Sequence, residues 1–215
     1  MKVNIVVTTY NSIEYLDKLI RTSQLDSGKH DISLSIFTHS KKPETIAVID
    51  MAIHEKYPIY LFDFGTNRGL ARSWNDGMLH GYDALRSDVV IISNDDIYFS
   101  PGDVDKMARK AIAKRKNYMV SVAGHHDYLE EDRPSHGYSC FAINPIAIEK
   151  IGCFDENFYP AYLEDVDHHR RATWVGLTEV NCTNTNVTHE GSCAIRHDQR
   201  LSLDNMVTHR KNIIY

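Results

Sequence analysis

The stretch VNIVVTTYNSIEYLDKLIRTSQ, Val3 to Gln24, changes its period halfway. Its first seven residues form a short apolar run rich in β-branched side chains, which reads as a buried strand. The remainder places Ile13, Leu16, Leu19 and Ile20 at helical spacing, and Ser12 stands where it can cap that helix. The same change recurs down the chain. ISLSIFTH (32–39) precedes PETIAVIDMAIHEKY (43–57), and IYLFDFG (59–65) precedes GLARSWNDGMLHGYDAL (69–85). DVVIISNDD (88–96) precedes PGDVDKMARKAIAKR (101–115), where a Pro-Gly turn opens the helix. Alternating strands and helices predict an α/β fold on a largely parallel sheet.

The second half is less regular. Strands are expected at YMVSVAG (118–124), YSCFAIN (138–144) and GLTEVNCTN (176–184), and a helix around VDHHRRATWV (166–175), with Trp174 and Val175 in the core. The tail RLSLDNMVTHRKNIIY (200–215) has helical character and ends on apolar residues, as one domain of a longer protein could. No internal repeat, low-complexity tract or linker divides the chain. A single domain over 1–215 is expected, and 215 residues suffice to bury a sizeable core.

Composition narrows the partners. A formal charge of −5 leaves no basic footprint for nucleic acid. No apolar run of about 20 residues spans a bilayer, which leaves peripheral membrane contact open. The N-terminus lacks the cleavage site of a signal peptide, so a cytoplasmic location is expected. The spacing of Cys140, Cys153, Cys182 and Cys193 fits neither zinc knuckles nor a disulfide frame, and all four are expected as thiols. The sequons at Asn181 and Asn186 are then chance matches.

In open parallel sheets, ligands sit beyond the carboxyl ends of the strands. Those positions here are TTYN (8–11), THS (38–40), GTNRG (65–69) and SNDD (93–96). None is a Gly-rich phosphate loop, which argues against a dinucleotide-binding enzyme and a P-loop NTPase. SNDD is the sharper signal, because adjacent carboxylates at a strand end need a cation, a helix N-terminus or solvent. Mg²⁺ or Mn²⁺ suits such oxygens and keeps positions open for substrate phosphates. A turn or helix cap before IYFSPG is the plainer alternative.

Five blocks in order then form a resemblance: IVVTTYNSIEYLDKLIRTS, NRGLARSWNDGM, VVIISNDDIYFSPGDV, FAINPIAIEKIGCFDENFYPAYLEDVDHHRRATWVG and VTHEGS. Together they resemble a GT-A-fold glycosyltransferase of the family 2 type over roughly Val3 to Ser192. The resemblance implies a nucleotide-sugar half (1–100) and an acceptor half (101–215). It assigns Thr9, Tyr10, Asn11, Asn67, Arg68 and Gly69 to the nucleobase and ribose. Asn94, Asp95 and Asp96 correspond to the family's DxD motif, with Asp96 as the ligand of Mn²⁺ or Mg²⁺ and His189 completing the metal shell or touching the diphosphate. The pattern departs at Asn94, where many members have an acid. It departs again after the second strand, where Thr38 or Ser40 replaces a carboxylate that receives the uracil imide. A UDP-sugar donor is the expectation, with a glycan or other hydroxyl acceptor.

The resemblance also assigns the crowded FYPAYLEDVDHHRR (158–171). Inverting transfer needs a base to take the acceptor hydroxyl proton. LEDVD matches the family's base motif, with Asp165 as the base and Glu164 orienting the site. A helix beginning there would set His168 and His169 on Asp165's side, near enough to tune it. The plain alternative is a helix N-terminus whose acids favour the dipole. FDENFYPAY suits an aromatic wall for sugar rings or ordinary core, and Arg196 could neutralise phosphate. His125 and His126 read as loop residues. The competing function is a non-catalytic GT-A module that binds nucleotide sugar or glycan, which would have no need of LEDVD. A nucleotidyltransferase would want a basic Gly-rich loop in place of TTYNS.

Overall fold

The computed structural model describes residues 1–40, 42–113, 117–121, 138–191, 202–203, 206–208 and 211. Inside its main sheet lies β1 (Lys2–Thr9), whose Val3, Ile5, Val6 and Val7 are fully buried. β1 pairs in parallel with β2 (Asp31–Thr38) on one side and β4 (Val89–Asn94) on the other. β3 (Ile59–Asp63) adds in parallel outside β2. Beyond β4 come β7 (Cys140–Ile143), β6 (Asn117–Ser121) and β8 (Thr178–Asn181), completing the order β3-β2-β1-β4-β7-β6-β8. Only β7 runs antiparallel to its neighbours within this sheet. That reversal ends the simple strand-helix alternation and explains the less regular second half.

Two cores lie on the two faces of the sheet, sorted by the period of two along each strand. Val89 and Ile91 of β4 and Cys140 and Ala142 of β7 join one core with Val3, Ile5 and Val7. Into the same core, α1 (Ile13–Ser23) inserts Leu16, Leu19 and Ile20, α2 (Pro43–His54) inserts Ile49 and Ala52, and α4 (Asp103–Ala113) inserts Val104, Met107 and Ala108. Val90, Ile92, Phe141 and Ile143 join the other core with Val6, Phe37, Trp74, Phe154 and Ala172. The helix α3 (Leu70–Leu79) lies close over β1 because a Cβ on Gly77 would stand 2.2 Å from Val6 Cγ1.

Some local expectations give way to tertiary contacts. Ser12 occupies the N-cap of α1 without capping it; its hydroxyl turns back to the Tyr10 carbonyl at 3.3 Å. The 69–85 helix is α-helical only to Leu79 and continues as a π-helical turn over His80–Ala84. There the Tyr82 hydroxyl donates to the Ile143 carbonyl and accepts from Val90 N–H. Two further elements lie outside the sequence reading. One is the short α5 (Pro145–Lys150), capped by Asn144, whose side chain accepts from Ile146 N–H at 3.0 Å. The other is a two-stranded ladder between β5 (Ile97–Tyr98) and β9 (Thr188–His189). At the end of α6 (Glu164–Trp174), Trp174 is 75% and the C-cap Val175 48% exposed. Both were expected in the core. They stand at the end of α6, beyond the buried contact of Ala172.

Candidate active site at the strand ends

Asp95 and Asp96 follow β4 directly, and both carboxylates are buried, at 5% and 2% exposure. Asp95 serves the loop after β1: its Oδ2 accepts from Tyr10 N–H at 3.3 Å. Burial lifts its pKa to about 7; the Thr9 and Ser12 hydroxyls and Tyr10 N–H relieve part of that, while Asp96 adds to it. Asp95 therefore ties TTYNS to the end of β4 and is an internal brace. Asn94 is half-buried, and its N–H donates to the Ser139 carbonyl at 2.8 Å.

Asp96 meets the distant His189. The β5–β9 ladder pairs Ile97 with His189, and Glu190 N–H donates to the Asp96 carbonyl at 3.1 Å. Asp96 Oδ1 and His189 Nε2, both shielded from solvent, then stand 3.3 Å apart. Two neighbouring ligands on an ion with bonds of about 2.1 Å are about 3 Å apart, so an oxygen and an imidazole at this separation fit one Mg²⁺ or Mn²⁺. Among the described residues no group of three or more His, Cys, Asp or Glu could hold a metal. An ion here would draw its other ligands from water and substrate.

At the same edge of the sheet, beyond the end of β3, lies the Asn67-Arg68-Gly69 turn. Asn67 Oδ1 accepts from Gly69 N–H at 2.9 Å, and Gly69 adopts φ +87°. A side chain there would be strained and would meet the Tyr159 ring at 3.0 Å. The Tyr159 hydroxyl donates to the Asn67 carbonyl at 3.3 Å, and Leu70 N–H donates to the Pro160 carbonyl at 2.8 Å. The turn from the first half thus touches the loop that leads into α6. His39 supports it from below: buried at 3% exposure, it receives Arg68 N–H on Nδ1 at 2.9 Å and meets Ser73 Oγ through Nε2 at 2.7 Å. The Arg68 guanidinium lies 4.6 Å above the Phe64 ring. Thr38 is fully buried, and its hydroxyl accepts from Ser40 N–H at 3.1 Å, closing a local turn. Asn11 sits at φ +60° and accepts from the Ser40 hydroxyl. His39 is a site residue that the sequence reading of Thr38 and Ser40 does not include. Its position at a strand end was the available signal.

Two successive left-handed residues, Tyr162 and Leu163 at φ +76°, lead into α6. Neither is glycine, and such conformations cost on the order of 1–3 kcal/mol each and cluster at functional sites. They set Glu164 inward at 3% exposure and leave Asp165 half-buried. Asp165 Oδ1 accepts from Val166 N–H at 2.8 Å. Glu164 Oε2 is shielded from solvent with no hydrogen-bond partner among the described residues. Burial, with Asp165 adding to it, raises the Glu164 pKa to about 8 against the pull of backbone N–H groups. Glu164 therefore keeps its proton at neutral pH.

His168 departs from expectation. It is fully buried, stacked on Phe154 at 4.1 Å and edge-on to Tyr138, so it belongs to the aromatic core. Burial, with Arg171 adding to it, drives its pKa down to about 3. His169 faces Glu179 at 3.5 Å. Phe154 and Phe158, at 2% and 8% exposure, are core, whereas Tyr159 and Tyr162 are exposed. Arg196, His125, His126 and Cys193 lie outside the described residues. Cys140, Cys153 and Cys182 are free thiols.

A family model, Glycosyl transferase family 2, matches residues 4–172, from β1 almost to the end of α6. The chain belongs to this family. The glycosyltransferase-family chain is 26% identical over 110 residues to an uncharacterised glycosyltransferase, YwdF, of Bacillus subtilis (strain 168). That match covers 51% of this chain and 38% of the relative. Among solved structures it resembles the mannosyltransferase PcManGT from Pyrobaculum calidifontis, in complex with GDP-Man and Mn²⁺, with a TM-score of 0.67 at 15% identity. It also resembles S. aureus TarS, with a TM-score of 0.67 at 12% identity. The alignments cover 99% and 95% of this chain but 64% and 39% of those chains. S. aureus TarS 1–349 in complex with UDP aligns at a TM-score of 0.63 and 12% identity, over 86% of this chain and 58% of the other. The fold is GT-A, as the five sequence blocks implied.

Proposed function

We propose that the chain is an inverting glycosyltransferase that moves a sugar from a nucleotide diphosphate sugar, a UDP-sugar, to a hydroxyl acceptor. The observation that carries this reading is the Glu164–Asp165 pair at the head of α6, where two left-handed residues turn Glu164 inward and leave the Asp165 carboxylate half-buried. In a family 2 chain, a half-buried carboxylate in that place is suited to take a proton. The acceptor oxygen would attack the anomeric carbon as its proton passes to an Asp165 oxygen. The bond from that carbon to the diphosphate would break, its electron pair leaving on phosphate oxygen. One displacement inverts the configuration.

Tyr10, Asn11, Arg68 and the Asn67–Gly69 turn would hold the nucleoside, with Thr9 and Asp95 bracing the first loop. Thr38 would contribute through the turn it closes. Asp96 and His189, beside Asn94, would hold the divalent cation, which when bound neutralises charge on the diphosphate. The mannosyltransferase solved with GDP-Man and Mn²⁺ and the TarS structure with UDP support a nucleotide-sugar donor and a metal in general. Single-turnover transfer from a panel of UDP-sugars with Mn²⁺ tests the proposal. Asp165→Asn is expected to lower transfer by about 10²-fold or more while donor affinity stays unchanged. Near wild-type transfer by that variant would remove Asp165 as the base.

A further inference from the structure

The buried His39 has two mutually exclusive partners in one turn. Its Nδ1 stands 2.9 Å from Arg68 N–H, a donor, and 3.2 Å from the Thr66 carbonyl, an acceptor. Only an unprotonated Nδ1 receives Arg68, and only a protonated one serves Thr66. The rest of the chain of bonds fixes the choice. Nε2–H donates to Ser73 Oγ at 2.7 Å, and the Ser73 hydroxyl points on to the Gly69 carbonyl at 3.5 Å. The ring thereby grips the Arg68–Gly69 segment at both ends, at Arg68 N–H directly and at the Gly69 carbonyl through Ser73.

We propose that His39 is a positioning residue whose neutral ring holds the Asn67-Arg68-Gly69 turn ready for the donor, and that protonation hands Nδ1 from Arg68 N–H to the Thr66 carbonyl and loosens the turn. The inference rests on the reading of that turn as part of the nucleotide site. The surroundings favour the neutral form. Burial holds the His39 pKa below its usual 6.5, and the Arg68 charge adds to this against the opposing pull of the Thr66 carbonyl. Phe64, from the end of β3, presents its ring to His39 at 5.5 Å, and Ser73 comes from α3; both are neutral. Asp63, the last residue of β3, accepts from Gly65 N–H at 2.9 Å. The switch therefore acts on the acid side of the usual histidine range.

The test has two arms. In ¹⁵N-histidine NMR of the wild-type chain at pH 8, Nδ1 is expected to be unprotonated and Nε2 protonated. The Arg68 amide resonance is expected to move with the His39 titration as the pH falls to 5. A protonated Nδ1 at pH 8, or an Arg68 amide indifferent to that titration, overturns the inference without any ligand present. In the second arm, affinity for UDP-glucose, whose diphosphate carries no group titrating in this range, is measured with Mn²⁺ from pH 8 to 5. His39→Gln keeps an acceptor and a donor but cannot ionise. The wild type is expected to lose at least threefold more affinity over this range than His39→Gln, since every other group is common to the two proteins. Parallel profiles overturn the inference while leaving the nucleotide reading intact. Failure of the wild type to bind UDP-glucose, UDP and GDP at any pH refutes that reading instead, and the NMR arm still decides the switch.

Discussion

Replacing Glu164 by Gln isolates the cost of the buried carboxyl at the head of α6. In the folded chain its pKa stands at about 8, against an ordinary 4.5. Between those values the unfolded chain has released the proton that the folded chain keeps, so the wild type loses stability as the pH rises through the window. From pH 5.5 to 7.5, wholly inside it, the loss is about 1.36 kcal/mol per pH unit, or about 2.7 kcal/mol in all. Glutamine occupies nearly the same volume and has no proton to lose. Any packing penalty it brings is independent of pH, and every other titrating group is common to both proteins. The difference in melting temperature between Glu164→Gln and wild type should therefore move in the variant's favour by about 5 to 10 °C between pH 5.5 and 7.5. Thermal unfolding followed by circular dichroism at pH 5.5, 6.5 and 7.5 reads this directly. A difference that stays constant with pH would mean that Glu164 ionises normally. The account of Glu164 as a carboxyl kept protonated by burial would then fail.

Asp96→Ala should abolish the help that Mn²⁺ gives to UDP binding, leaving calorimetric affinities equal in Mn²⁺ and EDTA; a retained Mn²⁺ effect would move the ion elsewhere. Gly77→Ala drives a methyl into Val6 Cγ1 and should destabilise by about 1–3 kcal/mol in urea unfolding. The added change Val6→Ala should recover part of that loss, and no recovery would place the clash elsewhere. Phe154→Ala removes a buried ring that stacks on His168 and lies edge-on to Trp74, and should cost about 3–5 kcal/mol. Trp174→Ala should change stability by no more than about 0.5 kcal/mol, because the side chain is 75% exposed. Equal costs for these last two would contradict the described packing of α6.

The alternation of strand and helix, the burial of β1 and the strand-end location of TTYN, THS, GTNRG and SNDD were legible from residue order alone. Each rests on a local period or on a rule that the chain obeys within a few dozen residues. The order of the five blocks carried the family for the same reason. The placement of individual side chains was not legible. Ser12 stands at an N-cap but turns to the Tyr10 carbonyl, because Asp95 draws the TTYNS loop onto β4. His168 and Asp165 lie three residues apart on one helix, yet the aromatic cluster of Phe154 and Tyr138 claims the first and leaves the second half-buried. Asp96 meets His189 across 93 positions of sequence only because a two-rung ladder closes between β5 and β9. The pKa values of Glu164 and Asp95 are decided in the same way, since desolvation depends on what the whole fold packs around a carboxyl. Sequence by itself determined the elements and the chemical inventory at the strand ends, which depend on neighbours along the chain. Tertiary structure alone decided which groups are buried, which are charged and which touch, because those depend on neighbours in space.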